Sequence, residues 1–285
     1  MRKIPVFEVI RYAYRFAFGE FGTILRLTWF PALVFFAVSV VVALITAGSF
    51  DPSSPNIGSI LLSFVVMAAV SLFVSATIAV SLHRMILFGD SRVGENISFR
   101  IGPTELKFVG ASILLGLIAI AVAFALSLAS IPFAIPFAAA TGASFGLFTL
   151  TIVMYVVAGL LLARLLLVYP HIVAEEKIDL RGAWQATKGN AMRMFGVIAL
   201  GMVPFIILSL LAPFILALIF PSEPDSFSPA TMLPDLILNY FLFILSTAIW
   251  VPLLCYSYKA LRDIGPYEYL DESGTSPAVI RPDGE

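Results

Sequence analysis

Little in this chain offers polar chemistry. Only 12 % of its 285 residues are charged, against about a quarter in an ordinary soluble domain, while 60 % are hydrophobic. A water-soluble fold could not hide so much apolar surface, so the solvent for most of it is lipid. The single cysteine, Cys255, excludes an intrachain disulfide. The two histidines, His83 and His171, stand far apart in apolar sequence, too few and too distant for a metal site of their own, and are expected at the membrane interface. A net charge of −1 lacks the basic surplus that phosphate neutralisation needs, which argues against nucleic acid as a partner. None of the 18 acidic residues falls in the middle of an apolar run. Proton-coupled pumps and many ion-coupled carriers keep ionisable groups at membrane depth, so that class is weakened.

What is present is long apolar runs. Crossing a hydrocarbon core of about 30 Å takes about 20 residues of helix. Six runs reach that length, at about 23–47, 58–82, 108–131, 144–169, 194–219 and 235–258. The start, "MRKIPVFEVIRYAYRFAFGEFG", is amphipathic and lacks a small-residue cleavage site, so no secretory signal is expected there. All 17 Lys and Arg residues fall within residues 2–26, 84–107, 164–193 and 259–281. The alternate connections, around 48–57, 132–143 and 220–234, hold none. Basic residues stay on the cytoplasmic side. The expectation is therefore an all-α, polytopic bundle of six transmembrane helices with both termini cytoplasmic. One membrane domain covers 1–262, and a cytoplasmic tail 263–285 ends in the breaker-rich "DESGTSPAVIRPDGE", expected to be disordered and dispensable.

Two cytoplasmic segments are amphipathic. Residues 5–20 carry Phe7, Ile10, Tyr14 and Ala17 on one side and Glu8, Arg11 and Arg15 on the other. Residues 179–194 place Leu180, Ala183, Trp184 and Thr187 opposite Arg181, Gln185 and Lys188, with Asp179 as a cap. Each reads as a helix in the headgroup layer with Arg11, Arg15, Trp184 and Lys188 interfacial, or as a connector packed on the bundle. "FGTILRLTWFP" from Phe21 and "FGVIALGMVP" from Phe195 suggest a weak internal repeat. Small-residue stripes (Ser71, Ser75, Ala79; Ala121, Ala125, Ala129; Gly142, Gly146) mark close helix packing or a dimer face. Pro31, Pro204, Pro213 and Pro252 should kink or break their helices, above all in the fifth span, which holds two.

Arg164 poses the sharpest question. It lies inside an apolar run that continues to Pro170, and a helical side chain leans towards its N-terminus, here into the bilayer. Exposure to lipid would cost a few kcal/mol, so a partner is expected: Glu175, Glu176 or a lipid phosphate. The surrounding "ARLLLVYPHIVAEEKIDLRGAWQATKGNAMRMFGVI" resembles the membrane domain of bacterial glycerophosphodiester phosphodiesterases and related stand-alone six-span inner-membrane proteins. The matching positions are Arg164, Pro170, Glu175, Trp184 and Gly189. The resemblance implies a membrane module and not the hydrolase, whose soluble catalytic domain would need far more polar sequence.

No residue set forms a catalytic or metal site, and no cofactor is called for. The functional expectation is a non-enzymatic membrane protein that organises lipid, anionic lipid first, or a partner in envelope homeostasis. The alternative is a transporter or lipid-handling carrier, supported by the kinked fifth span and the suspected repeat. An integral-membrane enzyme would need a polar cluster at one depth.

Overall fold

A computed structural model describes residues 3–49, 57–89, 102–141, 143–220 and 229–270. The described residues form helices, with no strand among them: α1 (Val6–Gly19), α2 (Phe21–Ser49), α3 (Ile57–Phe88), α4 (Pro103–Thr141), α5 (Ala143–Leu165), α6 (Val168–Glu175), α7 (Leu180–Ala186), α8 (Ala191–Ile219) and α9 (Pro229–Arg262). Six helical stretches are long and apolar enough to cross a bilayer, which makes this the expected all-α six-span bundle.

The spans pack as hairpins, α2 with α3, α4 with α5 and α8 with α9, around α9, which also touches α1, α3 and α2. Most are longer than a crossing requires. The 32 residues of α3 extend about 48 Å at 1.5 Å per residue, well beyond the hydrocarbon core. The surplus lies at the end that carries the basic residues, and the core lies there too. In α3 the fully buried positions begin only at Val74, while Leu61, Leu62 and Phe64 in its first half are exposed. In α4 they stop at Leu115, and Ile120, Phe124 and Leu128 face outward. One end of the molecule is thus packed like a soluble protein and the other is a looser set of apolar helices. Lipid tails are as apolar as leucine, so the outward side chains incur no solvation cost in a membrane.

The packed end gathers α1, the end of α3, the start of α4, α6, α7, the start of α8 and the end of α9. Long-range bonds tie them. Ile4 N–H donates to Asn190 Oδ1 (3.0 Å) and Arg193 to the Ile4 carbonyl (2.9 Å), fixing the N-terminus to the start of α8. Arg84 pairs with Glu105 (3.2 Å), joining α3 to α4 beyond a connection outside the described residues. Leu270 N–H donates to the Leu87 carbonyl (2.7 Å).

That last bond corrects the expected boundary at 262. Residues 263–270 return onto the bundle and bury Ile264 and Leu270. Lys259, 1 % exposed, holds the return segment by donating to the carbonyls of Glu268 (2.7 Å) and Pro266 (3.3 Å). Gly89 ends α3 at φ +70, and the Tyr269 ring sits 3.3 Å from where its Cβ would be, so a side chain there would meet both strain and a wall. The disorder expected of residues 263–285 does not hold for 263–270, and residues 271–285 lie outside the described residues.

Other expectations change in detail. Helices α2, α8 and α9 run unbroken through Pro31, through Pro204 and Pro213, and through Pro252. Both histidines are buried, His83 at 1 % and His171 at 5 % exposure, and are not interfacial. Each Nδ1 bonds the carbonyl one turn back in its own helix, of Ala79 (2.7 Å) and Leu167 (2.8 Å), which lets the ring stay inside. The Ala121, Ala125, Ala129 stripe faces outward, while Ala79 of the other stripe is buried. Gly142 lies outside the described residues. The suspected repeat lacks equivalent surroundings: α1 lies on α9 and α8, α7 on α5 and α6.

Candidate functional site

The packed end is where the functional candidates meet. Helix α5 ends one residue after Arg164, at Leu165, and Pro170 occupies the first turn of α6. A proline in a first turn lacks only an N–H that would have no helical partner. Leaving the helix early brings Arg164 to α7. Its guanidinium lies 3.4 Å from the centre of the Trp184 ring, donates to the Trp184 carbonyl (2.9 Å) and approaches Thr187 Oγ1 (3.4 Å). Thr187 is fully buried and its hydroxyl lies 3.0 Å from the carbonyls of Ala183 and Trp184. The planar cation therefore closes the C-terminal end of α7, where carbonyls carry partial negative charge, and stacks on that helix's own indole.

This corrects the expected pairing with Glu175 or Glu176. Glu175 belongs to another clamp: its carboxylate pairs with Arg262 and accepts from the Tyr258 hydroxyl (3.4 Å), joining α6 to the end of α9. Tyr258 in turn meets His171 edge-on, with centroids 4.9 Å apart. Glu176 caps α6 in the left-handed conformation, φ 54, and its carbonyl accepts from Lys107 (2.9 Å). Glu175 is drawn away from Arg164 by a cation from α9, remote in sequence, while Glu176 offers only its backbone carbonyl to Lys107 of α4.

Helix α7 starts as expected, with Asp179 Oδ1 accepting from Gly182 N–H (2.7 Å). It ends earlier than expected, at Ala186, and Gly189 at φ +76 turns the chain into α8. Trp184 keeps 37 % of its surface exposed, and Lys188 is exposed beside it.

Helix α1 shows a rotated face. Its buried stripe is Val9, Ala13 and Ala17, small enough for close contact with α9 and α8. Phe7 and Phe18 point away, 79 % and 65 % exposed, on the side that also presents Arg11 and Arg15. The helix is a packed connector on one face and an aromatic, cationic surface on the other. Together with Arg181 and Lys177, also exposed, these residues make a belt of cations and large aromatic side chains around the packed end. Arg11, Lys177, Arg181 and Lys188 make no ion pair among the described residues.

No polar cluster in the sequence pointed to the residues beneath that belt: the buried Lys259, the Arg84–Glu105 pair and four tyrosines, Tyr12, Tyr256, Tyr267 and Tyr269. Tyrosine spaced through apolar helices gives no sign of which copies converge. The charge-bearing residues of the described chain include no group of three or more His, Cys, Asp or Glu placed to hold a metal ion. Comparison with known protein families, with curated proteins and with solved structures finds no match, so the resemblance around Arg164 stands on its own residues.

Proposed function

We propose that this chain is a non-enzymatic protein of the bacterial inner membrane, related to the membrane modules that residues 164–189 resemble, with its packed end and both termini in the cytoplasm. Its task in this reading is to organise lipid, anionic lipid first, or a partner at that face. The observation that carries the reading is the belt: exposed cations without acid partners (Arg11, Lys177, Arg181, Lys188) interleaved with outward Phe7, Phe18 and Trp184 at the level where the spans emerge. Aromatic residues settle at the headgroup level, and each cation near an anionic surface contributes about 1 kcal/mol of attraction.

The alternative of a transporter or lipid-handling carrier drew on a kinked fifth span and the suspected repeat. Helix α8 continues through Pro204 and Pro213 without a break, and α1 and α7 lie on different neighbours, so a broken span and a repeat add no support. The test is thermal unfolding in neutral detergent, with phosphatidylglycerol or phosphatidylcholine added. The glycerol lipid should stabilise the parent more. Replacing Lys177, Arg181 and Lys188 together by Gln should remove most of that difference while leaving the lipid-free melting point within about 2 °C. A variant that responds to phosphatidylglycerol as the parent does would overturn the reading.

A further inference from the structure

Behind the belt, between α1, the end of α9 and the return segment 263–270, lie two adjoining cavities of about 340 and 320 Å³ that share Tyr12, Tyr256 and Pro266. Their walls are tyrosine. Tyr12 meets Tyr267 edge-on and Tyr256 at a tilt, both with centroids 5.9 Å apart, and Tyr269 closes the larger cavity over Gly89. Tyr256 is buried and Tyr12 half-buried, while Tyr267 and Tyr269 stay open to solvent, 59 % and 37 % exposed. None of the four hydroxyls bonds a protein group among the described residues, so all can meet a ligand.

The larger cavity also holds one cation and one carboxylate, Arg15 and Glu20, which make no ion pair with each other. Arg15 lies over the Tyr267 ring at 5.9 Å. Among the described residues the Glu20 carboxylate accepts only from the Thr23 hydroxyl (3.2 Å). Arg15 and Glu20 stand five positions apart, a rise of about 7.5 Å at helical spacing, enough to leave room for a ligand that touches both. Lys259, in the wall of the second cavity, is committed to the return segment. Glu20 directly precedes the first span, and Met85 and Ile86 at the end of the second also line the cavity. The site therefore sits at headgroup depth.

A phosphate alone fits poorly, because Glu20 would repel it; a cation alone would meet Arg15. A group with both charges satisfies the pair. We propose that this cleft binds the headgroup of a zwitterionic phospholipid with a primary ammonium, the phosphodiester on Arg15 and the tyrosine hydroxyls, the ammonium on Glu20 and the ring faces. Guanidinium is the side chain best shaped for phosphate, and aromatic faces attract ammonium. A carboxylate favours an ammonium that can donate, so ethanolamine is preferred over choline. This site lies apart from Lys177, Arg181 and Lys188 and goes beyond the anionic-lipid reading; either can fail without the other.

Native mass spectrometry of the full chain, equilibrated with equal amounts of phosphatidylethanolamine, phosphatidylcholine and phosphatidylglycerol of the same acyl chains, tests it. One ethanolamine lipid should stay bound after other adducts are stripped. Glu20→Gln and Arg15→Gln should each cut its occupancy about tenfold, and Tyr267→Phe should cut it less, while phosphatidylglycerol adducts of Glu20→Gln and Tyr267→Phe stay as in the parent. All three side chains are exposed enough for the variants to fold, which the unchanged melting point would establish. Equal retention of choline and ethanolamine lipids by the parent, or full retention by Glu20→Gln, overturns the proposal. Excess O-phosphoethanolamine then identifies the source: a lipid that stays bound assigns the cleft to membrane lipid, and one that is displaced assigns it to the free headgroup, the chemistry being the same.

Discussion

Replacing Arg164 by Leu removes two interactions at once. The first is the bond from the guanidinium to the Trp184 carbonyl at 2.9 Å. A hydrogen bond from a charged donor contributes about 1.5–3 kcal/mol, and the lower half applies because the side chain is only half-buried. The second is the stack on the Trp184 ring, for which partial exposure suggests about 1 kcal/mol. Together the loss is about 2–3 kcal/mol. On a scale of about 2–4 °C per kcal/mol for chains of this size, the melting point should fall by about 5–10 °C. Arg26→Leu is the control: Arg26 is exposed at the start of α2, and its loss should cost under about 0.5 kcal/mol. A double-mutant cycle with Trp184→Leu separates the two parts, since the backbone carbonyl survives that change. The coupling should report the stack alone, about 1 kcal/mol. Because protein groups hold Arg164, added phosphatidylglycerol should stabilise Arg164→Leu as much as the parent. Equal melting points for the Arg164 and Arg26 variants would refute the reasoning, and selective loss of the lipid effect at Arg164 would show that a phosphate is its partner.

Three other outcomes follow from the same geometry. Glu176→Gly should be neutral or raise stability by up to about 1 kcal/mol, since it relieves a left-handed Cβ and its side chain holds no cation; a clear loss in thermal unfolding would mean the carboxylate has a partner after all. Lys259→Met should cost about 1–3 kcal/mol by orphaning the Pro266 and Glu268 carbonyls, and should expose Tyr269 to limited proteolysis or oxidation. Truncation after Leu270 should leave the melting point unchanged, whereas truncation after Arg262 should lower it by several degrees, because Ile264 and Leu270 are buried; equal effects would contradict the docking of 263–270.

The spans and the gathering of every described cation at one end were legible because both rest on composition over long windows, which lipid solvent and charge enforce directly. The cap at Asp179 was legible because it is local. Arg164 was misread through one residue-scale event: the chain leaves the helix at Leu165, though the apolar run continues to Pro170. Hydropathy cannot see that break, since both sides of it are greasy. The partner of Glu175, Arg262, lies 87 residues away, so nothing local announces it. In α1 two apolar stripes were present, and periodicity alone does not say which faces protein and which faces lipid. Packing chose the small one, Val9, Ala13 and Ala17, and left Phe7 and Phe18 outside. The return segment was hidden because "DIGPYEYL" looks like a breaker-rich tail until Lys259 and Gly89, from two other helices, receive it.

The claim on which the rest depends is that the packed, cationic end faces the cytoplasm, with six spans leading away from it. Topology mapping with paired reporters, one active only in the periplasm and one only in the cytoplasm, measures it directly. Fusions after residues 95, 180 and 270 should report the cytoplasm, and fusions after 52, 138 and 226 the periplasm. A periplasmic signal at 180 or 270, or a cytoplasmic one at 138, would contradict the account.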